Sequence, residues 1–409
     1  MKAVYSPNLP VSVRFSACHA AWLQARRGKK PSANQLLFEA RWLDNLHQLY
    51  SSLRAGCWQP APTVCFTVTH PKTREIHAPA FADRIVHHLL VDRLQRLYEP
   101  VFVYDSYANR TAKGSHAAVD RLQQMIRRRN GQGWYLQLDI HNYFNSIHRP
   151  TLYALLCRRL DLALQKGKLA DSQRLALRSL CHKLLARKSR EIERPGAAPS
   201  SVPPHKRLRN ARPQCGLPVG NLTSQFFANV YLNELDQFIK HQLKVRNYLR
   251  YVDDFVLLAD SKEQLRTWQA EIAAFLETRL QLRLKDAVVL APLHHGVDFL
   301  GYRVYCGHRL VRPRVVKHCC KKLSGWWQQY GQAAQMVSTE SFSKLQALLG
   351  SYWGHFCHAN SVRLRHALFK RFNWLHNFFQ LHADAGLVVK QPARHKLARR
   401  RNAMKIVYT

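Results

Sequence analysis

The sequence predicts an α+β fold in which a small antiparallel sheet packs on helices. Three observations carry that reading. Short β-branched and aromatic runs, TVCFTVTH (63–70), WYLQLDI (134–140) and YLRYVDDFVLL (248–258), have the composition of strands. The intervals between them place apolar residues at helical spacing. In the last hundred residues Leu345, Leu348, Leu349, Tyr352, Trp353 and Phe356 follow the i, i+3, i+4 rule of an amphipathic helix. With 409 residues, 46% of them hydrophobic, the chain can bury a core spread over more than one subdomain.

Taken in order, residues 19–55 read as helical, with Leu36, Leu37, Phe38, Trp42, Leu46 and Tyr50 recurring at helical spacing among basic residues. TVCFTVTH, the PKT turn and REIHAPA (74–80) then form a hairpin. Helix patterns resume over 81–98 and 115–129, WYLQLDI is a buried strand ending at Asp139, and helices fill 151–188. Between residues 183 and 212 lie nine Lys or Arg, two Glu and the Pro-rich run SREIERPGAAPSSVPPHKRLRNARP, the composition of a mobile basic loop. A helix from near Asn221 leads into YLRYVDDFVLL, followed by a helix over 262–280 and strands near Val288 and over 299–304. The tail KQPARHKLARRRNAMKIVYT (390–409) holds seven Lys or Arg and no acid, as expected of a polyanion-binding or disordered end. There is no internal repeat.

Sixty-three Lys and Arg stand against 25 Asp and Glu, for a net charge of +38 and a pI near 10.4. A polyanionic partner is implied, and nucleic acid is the commonest. The absence of any apolar run of about 18 residues, and of a signal-peptide core in MKAVYSPNLPVSV, points to a soluble intracellular protein. The ten cysteines include no C-x-x-C pair, so neither a zinc ribbon nor a disulfide framework is suggested, and HFCH (355–358) lacks partner spacing for a metal.

YLRYVDDFVLL poses the central question, because adjacent side chains in a strand point to opposite faces and one of Asp253 and Asp254 would enter the core uncompensated. Alone, the pair is explained by a solvated turn or by Arg250 as partner. A hairpin bending at the two acids would instead aim both carboxylates one way, and Asp139, at another strand end, could complete an oxygen-rich site. Such hard donors suit Mg²⁺ shared with substrate phosphates. Two ions about 3.5–4 Å apart can activate a 3′-hydroxyl and stabilise a leaving pyrophosphate.

YVDD resembles the Y-x-D-D motif of reverse transcriptases, and LDIHNYF (138–144) resembles the motif carrying that family's first metal-binding aspartate. The resemblance runs from about Arg74 to about Val304 and continues more weakly beyond. It implies a right-hand polymerase fold: an N-terminal helical extension of the fingers over 1–60, fingers and palm over 61–304 with a basic insertion at 183–215, a helical thumb over 305–389 with Trp326, Trp327, Trp353 and His355, and a basic tail over 390–409.

The implied activity is that of an RNA-directed DNA polymerase. Asp139, Asp253 and Asp254, with the carbonyl of Ile140, would hold two Mg²⁺ ions, for which Mn²⁺ can substitute. Phe144 matches the ribose-facing steric gate, with a core Phe as the alternative. In REIHAPAFADRIVHHLL, Arg74 and Arg84 match residues that hold the incoming triphosphate, with surface ion pairs as the alternative. In SYANRTAKGSH (106–116), Arg110 and Lys113 are implied template contacts. FLGYRV (299–304) matches the primer-gripping hairpin, with Leu300 and Gly301 as implied primer contacts. LRLKDAVVLAP offers Lys285 as the proton donor to pyrophosphate, shifted from the family's position, where Asp286 and Ala287 stand; a surface lysine is the alternative.

GLPVGNLTSQFFANVYLNELD (216–236) departs from many reverse transcriptases, with Val219 in place of Gln before the Gly of L-P-x-G and Gln225 in place of Pro after the later Ser. That departure, with REIHAP, SYANR and GVDFLGY, resembles the enzymes of diversity-generating retroelements, which copy template RNA unfaithfully at adenines. Implied partners are template RNA, primer or cDNA, dNTPs and a small basic accessory protein, in the cytoplasm of a bacterium or encoded by a phage, with no membrane. The other readings are a phage-defence, retron-like or group II intron-like reverse transcriptase, and a non-catalytic RNA-binding scaffold.

Overall fold

In the computed structural model, residues 13–28, 30–69, 72–186, 191–193, 202–331 and 337–390 are described. The chain divides into two units, residues 1–293 and 294–409.

The first unit begins with three helices, α1 (Phe15–Arg26), α2 (Ala33–Ala40) and α3 (Trp42–Arg54), followed by the hairpin β1 (Thr63–Val68) and β2 (Arg74–Ala78). Next come α4 (Phe81–Tyr98), α5 (Ser115–Arg128), β3 (Trp134–Asp139), the short α6 (Tyr143–Ser146), α7 (Arg149–Gln165) and α8 (Asp171–Leu185). After β4 (Glu191–Glu193), the long α9 (Leu222–Gln237) leads into β5 (Tyr248–Tyr251) and β6 (Asp254–Ala259), and α10 (Lys262–Leu280) returns the chain to β7 (Val289–Pro292).

Two sheets result, one in the order β5-β6-β3-β7 and one in the order β2-β1-β4. In the first, the two-residue period of β3 decides what faces where. Leu136 and Leu138, 0% and 1% exposed, enter one core with Phe255 and Leu257 of β6, Phe227 and Tyr231 of α9, and Ile272 and Leu276 of α10. Tyr135, Gln137 and Asp139 alternate with them and take the opposite face. Side chains of this size bury about 1.5–3 kcal/mol each relative to exposure, so the register of β3 is strongly fixed.

Of the insertion expected to be a mobile basic loop, residues 187–190 and 194–201 lie outside the described residues, and the described parts are tied to the fold. Lys183 lies in the last turn of α8 inside the fold, its ammonium donating to the carbonyls of Gly56 (2.5 Å) and Trp58 (2.9 Å). Beyond β4, which pairs parallel with β1, Val202 and Leu208 are buried. Asn142 and Asn145 tie the backbone down through the carbonyls of His205 (2.8 Å) and Lys206 (2.9 Å). Over 202–212 these apolar anchors and backbone bonds hold a Pro- and Arg-rich segment in place.

The second unit has a small sheet, β8 (Val297–Phe299), β9 (Tyr302–Val304) and β10 (Arg309–Val311), then α11 (Pro313–Tyr330), α12 (Thr339–Cys357) and α13 (Val362–Arg371). A hairpin follows, β11 (Phe379–Leu381) with β12 (Leu387–Val389), where only helix was expected. The core joins Trp326, Leu345, Leu349, Trp353 and Phe356 with Phe379 of that hairpin. FLGYRV, grouped with the palm from sequence, belongs to this unit. The tail of 391–409 lies outside the described residues, and no described helix is long and apolar enough to cross a membrane.

Candidate active site

Tyr251 pairs with Asp254, so β5 and β6 are joined by a two-residue turn of Val252 and Asp253. This answers how two adjacent acids are accommodated: Asp253 lies in the turn, and Asp254 alone enters the strand. On its other side Asp254 stands directly opposite Asp139, the last residue of β3. Opposed residues of an antiparallel pair have Cα atoms about 4.5–5.5 Å apart and side chains on one face. The three acids therefore meet at one end of the sheet. Val252 adopts φ +57°, a left-handed conformation that costs a β-branched residue about 1–2 kcal/mol.

The electrostatics reflect this convergence. Burial, and next the charge of Asp139, push the Asp253 carboxyl up to about 6. Asp254 is also pushed to about 6, mainly by burial and further by both neighbouring aspartates, against the stabilising hydrogen bond from Gln137, whose Nε2 donates to Oδ1 at 2.9 Å. The ammonium of Lys285 pairs with Oδ2 of Asp139. The backbone aligns the two residues, since Lys285 N–H donates to the Asp139 carbonyl at 2.8 Å, His141 N–H donates to the Arg283 carbonyl at 2.8 Å, and Ile140 bridges to Leu284. The lysine judged from sequence to be shifted thus reaches the first aspartate.

Oδ1 of Asp139 is buried and has no hydrogen-bond partner among the described residues. An unpartnered carboxylate oxygen beside two further carboxyls fits a cation. The three acids do not close around a single point: among the described residues, the one group of three ligand side chains with all ligand atoms within 4.8 Å is Cys65, Glu75 and His77. Gln137 occupies Oδ1 of Asp254 and Lys285 occupies Oδ2 of Asp139.

Beneath the turn lies a buried network that the sequence did not reveal. Arg250 and Asp236 are both 0% exposed and bound through two contacts, Nε to Oδ1 at 2.8 Å and Nη2 to Oδ2 at 2.6 Å. The other Arg250 bonds reach Ser106 Oγ (3.0 Å), Asn229 Oδ1 (3.2 Å) and the carbonyl of Val252 (2.8 Å). All five guanidinium donors are used. Burial opposes its charge, but the Asp236 carboxylate more than compensates and holds the pKa above the usual arginine range. Tyr248 also donates to Asp236, at 2.6 Å. Arg250 thus serves the turn backbone rather than Asp139, Asp253 or Asp254, and no local sequence signal pairs it with an acid on α9.

The remaining candidates divide. Arg74 is exposed and close enough to Asp253 to stabilise its charge. Arg84 bonds instead to the carbonyl of Ala25 (2.6 Å) and lies over the Phe81 ring. The Arg110 side chain is 6% exposed and donates to Glu99 and to the carbonyls of Val103 and Ser106, so its guanidinium is engaged within its own turn. Lys113 sits 3.5 Å from the centroid of Tyr104 and donates to its carbonyl.

Phe144, on α6, is half-buried against the main core, and its carbonyl accepts from Leu217 N–H at 2.9 Å, tying it to the segment before Val219. The Val219 carbonyl accepts from His77 N–H at 2.8 Å. Gly220 (φ +119°) is required there, because a Cβ would meet Ile76 and the His77 carbonyl at 3.0 and 3.1 Å. Gln225 is on the first turn of α9. Leu300 and Gly301, at φ +48° and +91°, form the two-residue turn between β8 and β9, and a Cβ on Gly301 would strike the His355 ring at 2.8 Å.

Residues 69–304 match the family model described as reverse transcriptase (RNA-dependent DNA polymerase). The chain belongs to the reverse transcriptase family. It is 25% identical over 318 residues to protein YkfC of Escherichia coli K12, covering 69% of this chain and 75% of that protein. It is 21% identical over 344 residues to the group II intron-encoded protein LtrA of Lactococcus lactis, covering 68% of this chain and 52% of LtrA, so it spans about half the length of that relative. Among solved structures, Candida tropicalis telomerase lacking its C-terminal domain is 10% identical with a TM-score of 0.43, over 67% of this chain and 59% of that one. Candida albicans telomerase with a telomeric RNA fragment is 11% identical with a TM-score of 0.41, over 83% and 61%. The fold is the α+β right-hand polymerase fold expected from the sequence.

Proposed function

We propose that this reverse transcriptase extends DNA on an RNA template by two-metal nucleotidyl transfer, and that it is of the mutagenic, diversity-generating kind. The observation carrying the first part is the cross-strand pairing of Asp139 with Asp254 beside the turn that holds Asp253. Asp139, Asp253 and Asp254 would hold two Mg²⁺ ions, which supply activation of the primer 3′-hydroxyl and neutralisation of the departing pyrophosphate. The chain's own groups do the rest. Arg74 offers a guanidinium fork to the triphosphate, Phe144 crowds a 2′-hydroxyl, and the basic surface holds template and primer through their phosphates.

The second part rests on Val219 and Gln225. Valine cannot hydrogen-bond a nucleotide as glutamine can, and one such bond is worth about 0.5–1.5 kcal/mol, roughly a 2- to 10-fold difference in selectivity. The similarity to LtrA favours a second reading, an intron-type enzyme. Near-identical template and variable repeats beside the gene would support the first reading; intron sequences there would support the second.

Primer extension on an RNA template with Mg²⁺ tests the activity. Wild type should synthesise cDNA and Asp253→Ala should not, while both bind RNA equally. Blank lanes for both despite tight RNA binding would favour a scaffold.

A further inference from the structure

We propose that Cys65, Glu75 and His77 form a zinc-binding site on the β1–β2 hairpin, separate from the three aspartates. Their ligand atoms, one thiol sulfur, one carboxylate oxygen and one imidazole nitrogen, all lie within 4.8 Å of one another. The hairpin register produces this. Cys65 is the cross-strand partner of His77, and Glu75 precedes His77 by two residues, so all three side chains share one face. Thiolate, imidazole and carboxylate together are the donor set of Zn²⁺, and three protein ligands leave a fourth position for water.

His77 is 1% exposed. Its Nε2 stands 3.6 Å from Oε2 of Glu75. Among the described residues Glu75 receives one hydrogen bond, from Leu208 N–H at 3.0 Å, and its side chain is 9% exposed. A divalent ion placed among the three donor atoms would be held by carboxylate, imidazole and thiolate together. The Leu208 bond orients the carboxylate in the manner of outer-shell support at metal centres.

The location gives such an ion a structural role. His77 N–H holds the Val219 carbonyl, Arg74 adjoins Glu75, and Leu208 belongs to the insertion. One zinc would fasten the hairpin, the nucleotide-facing Arg74 and the insertion as a unit.

The test uses the full-length protein. Metal analysis after desalting should find about one zinc per chain, removable by chelator. Cobalt(II) added to the metal-free protein should then produce a thiolate-to-cobalt charge-transfer band and intense tetrahedral visible bands. Cys65→Ser should abolish the charge-transfer band and His77→Gln should weaken or abolish the visible bands, whereas Cys57→Ser should leave both unchanged. Because the wild-type cobalt spectrum needs no variant, a variant that misfolds does not remove the test. Substoichiometric zinc with no thiolate band in wild type would overturn the proposal, as would a band that persists in folded Cys65→Ser. Primer extension is not the readout, so the zinc site and the polymerase reading stand or fall separately.

Discussion

Replacing Arg250 by Met tests whether the buried network, rather than the acids alone, shapes the Val252–Asp253 turn. Arg250 and Asp236 are both fully buried, so Arg250→Met leaves the Asp236 carboxylate with only Tyr248 as an observed donor. Breaking one partner of a buried pair costs about 3–5 kcal/mol, a large share of the roughly 5–15 kcal/mol that holds a domain folded. Removing both charges in Arg250→Met/Asp236→Leu should recover at least about 2 kcal/mol, because an apolar replacement of a buried pair is often near neutral. Urea unfolding monitored by tryptophan fluorescence reads these differences. Primer extension reads something else: in the double variant the Val252 carbonyl still lacks its Nη1 donor, so extension should stay at least about 10-fold below wild type, about 1.4 kcal/mol in the barrier, even as stability returns. A loss below about 1 kcal/mol for Arg250→Met, or full extension by the double variant, would refute the reasoning.

Other outcomes follow from the same geometry. Phe144→Ala should admit ribonucleotides in a single-nucleotide extension assay, and unchanged discrimination would exclude the gate role. Val219→Gln should lower misincorporation opposite template adenine by up to about 10-fold, and identical error spectra from sequenced cDNA would contradict it. The raised carboxyls set a pH dependence. Asp253 and Asp254 move from 3.8 to about 6 in the folded chain, chiefly through burial. The folded state therefore keeps protons that the unfolded chain has released, a contribution that favours folding at low pH and is lost as pH rises from 3.8 to about 6. Divalent cations bind the ionised form, so Mg²⁺ should raise the thermal midpoint more at about pH 7.5 than at about pH 5. Equal shifts would contradict a site built on these carboxyls.

The turn and its acids were legible because local patterns specify them. Two carboxylates amid Tyr251, Val252, Phe255 and Val256 read as a bend in a strand, and Asp139 closing an apolar strand reads as a second acid at a sheet end. What stayed hidden depends on contacts distant in sequence. Arg250 looks like a partner for its neighbouring acids, yet its carboxylate comes from α9. Arg110 is a template contact only by family resemblance, and nothing local in the sequence announces its pairing with Glu99 at 2.7 Å, eleven residues away. Lys285 looked displaced when counted along the chain. Its alignment with Asp139 arises from the bridge between Ile140 and Leu284, a pairing that residue counting cannot supply.

The way the charge of the acids is balanced bears on how a metal could enter. Two carboxylates about 4 Å apart repel by roughly 4 kcal/mol at an effective dielectric near 20, and here three are gathered. Two different kinds of group oppose this. Lys285 touches Asp139 directly and is 38% exposed, so its ammonium can withdraw into water when a cation takes the oxygen. Arg250 touches none of the three and acts on the Val252 carbonyl from the buried side, so an arriving cation leaves it in place. The register of β3 with β6 fixes where Asp139 and Asp254 stand. A cation at the acids would compete with Lys285 for Asp139 and with Gln137 for Asp254, while the strand pairing that positions both acids is already in place, as expected where the protein's groups are arranged before charge develops.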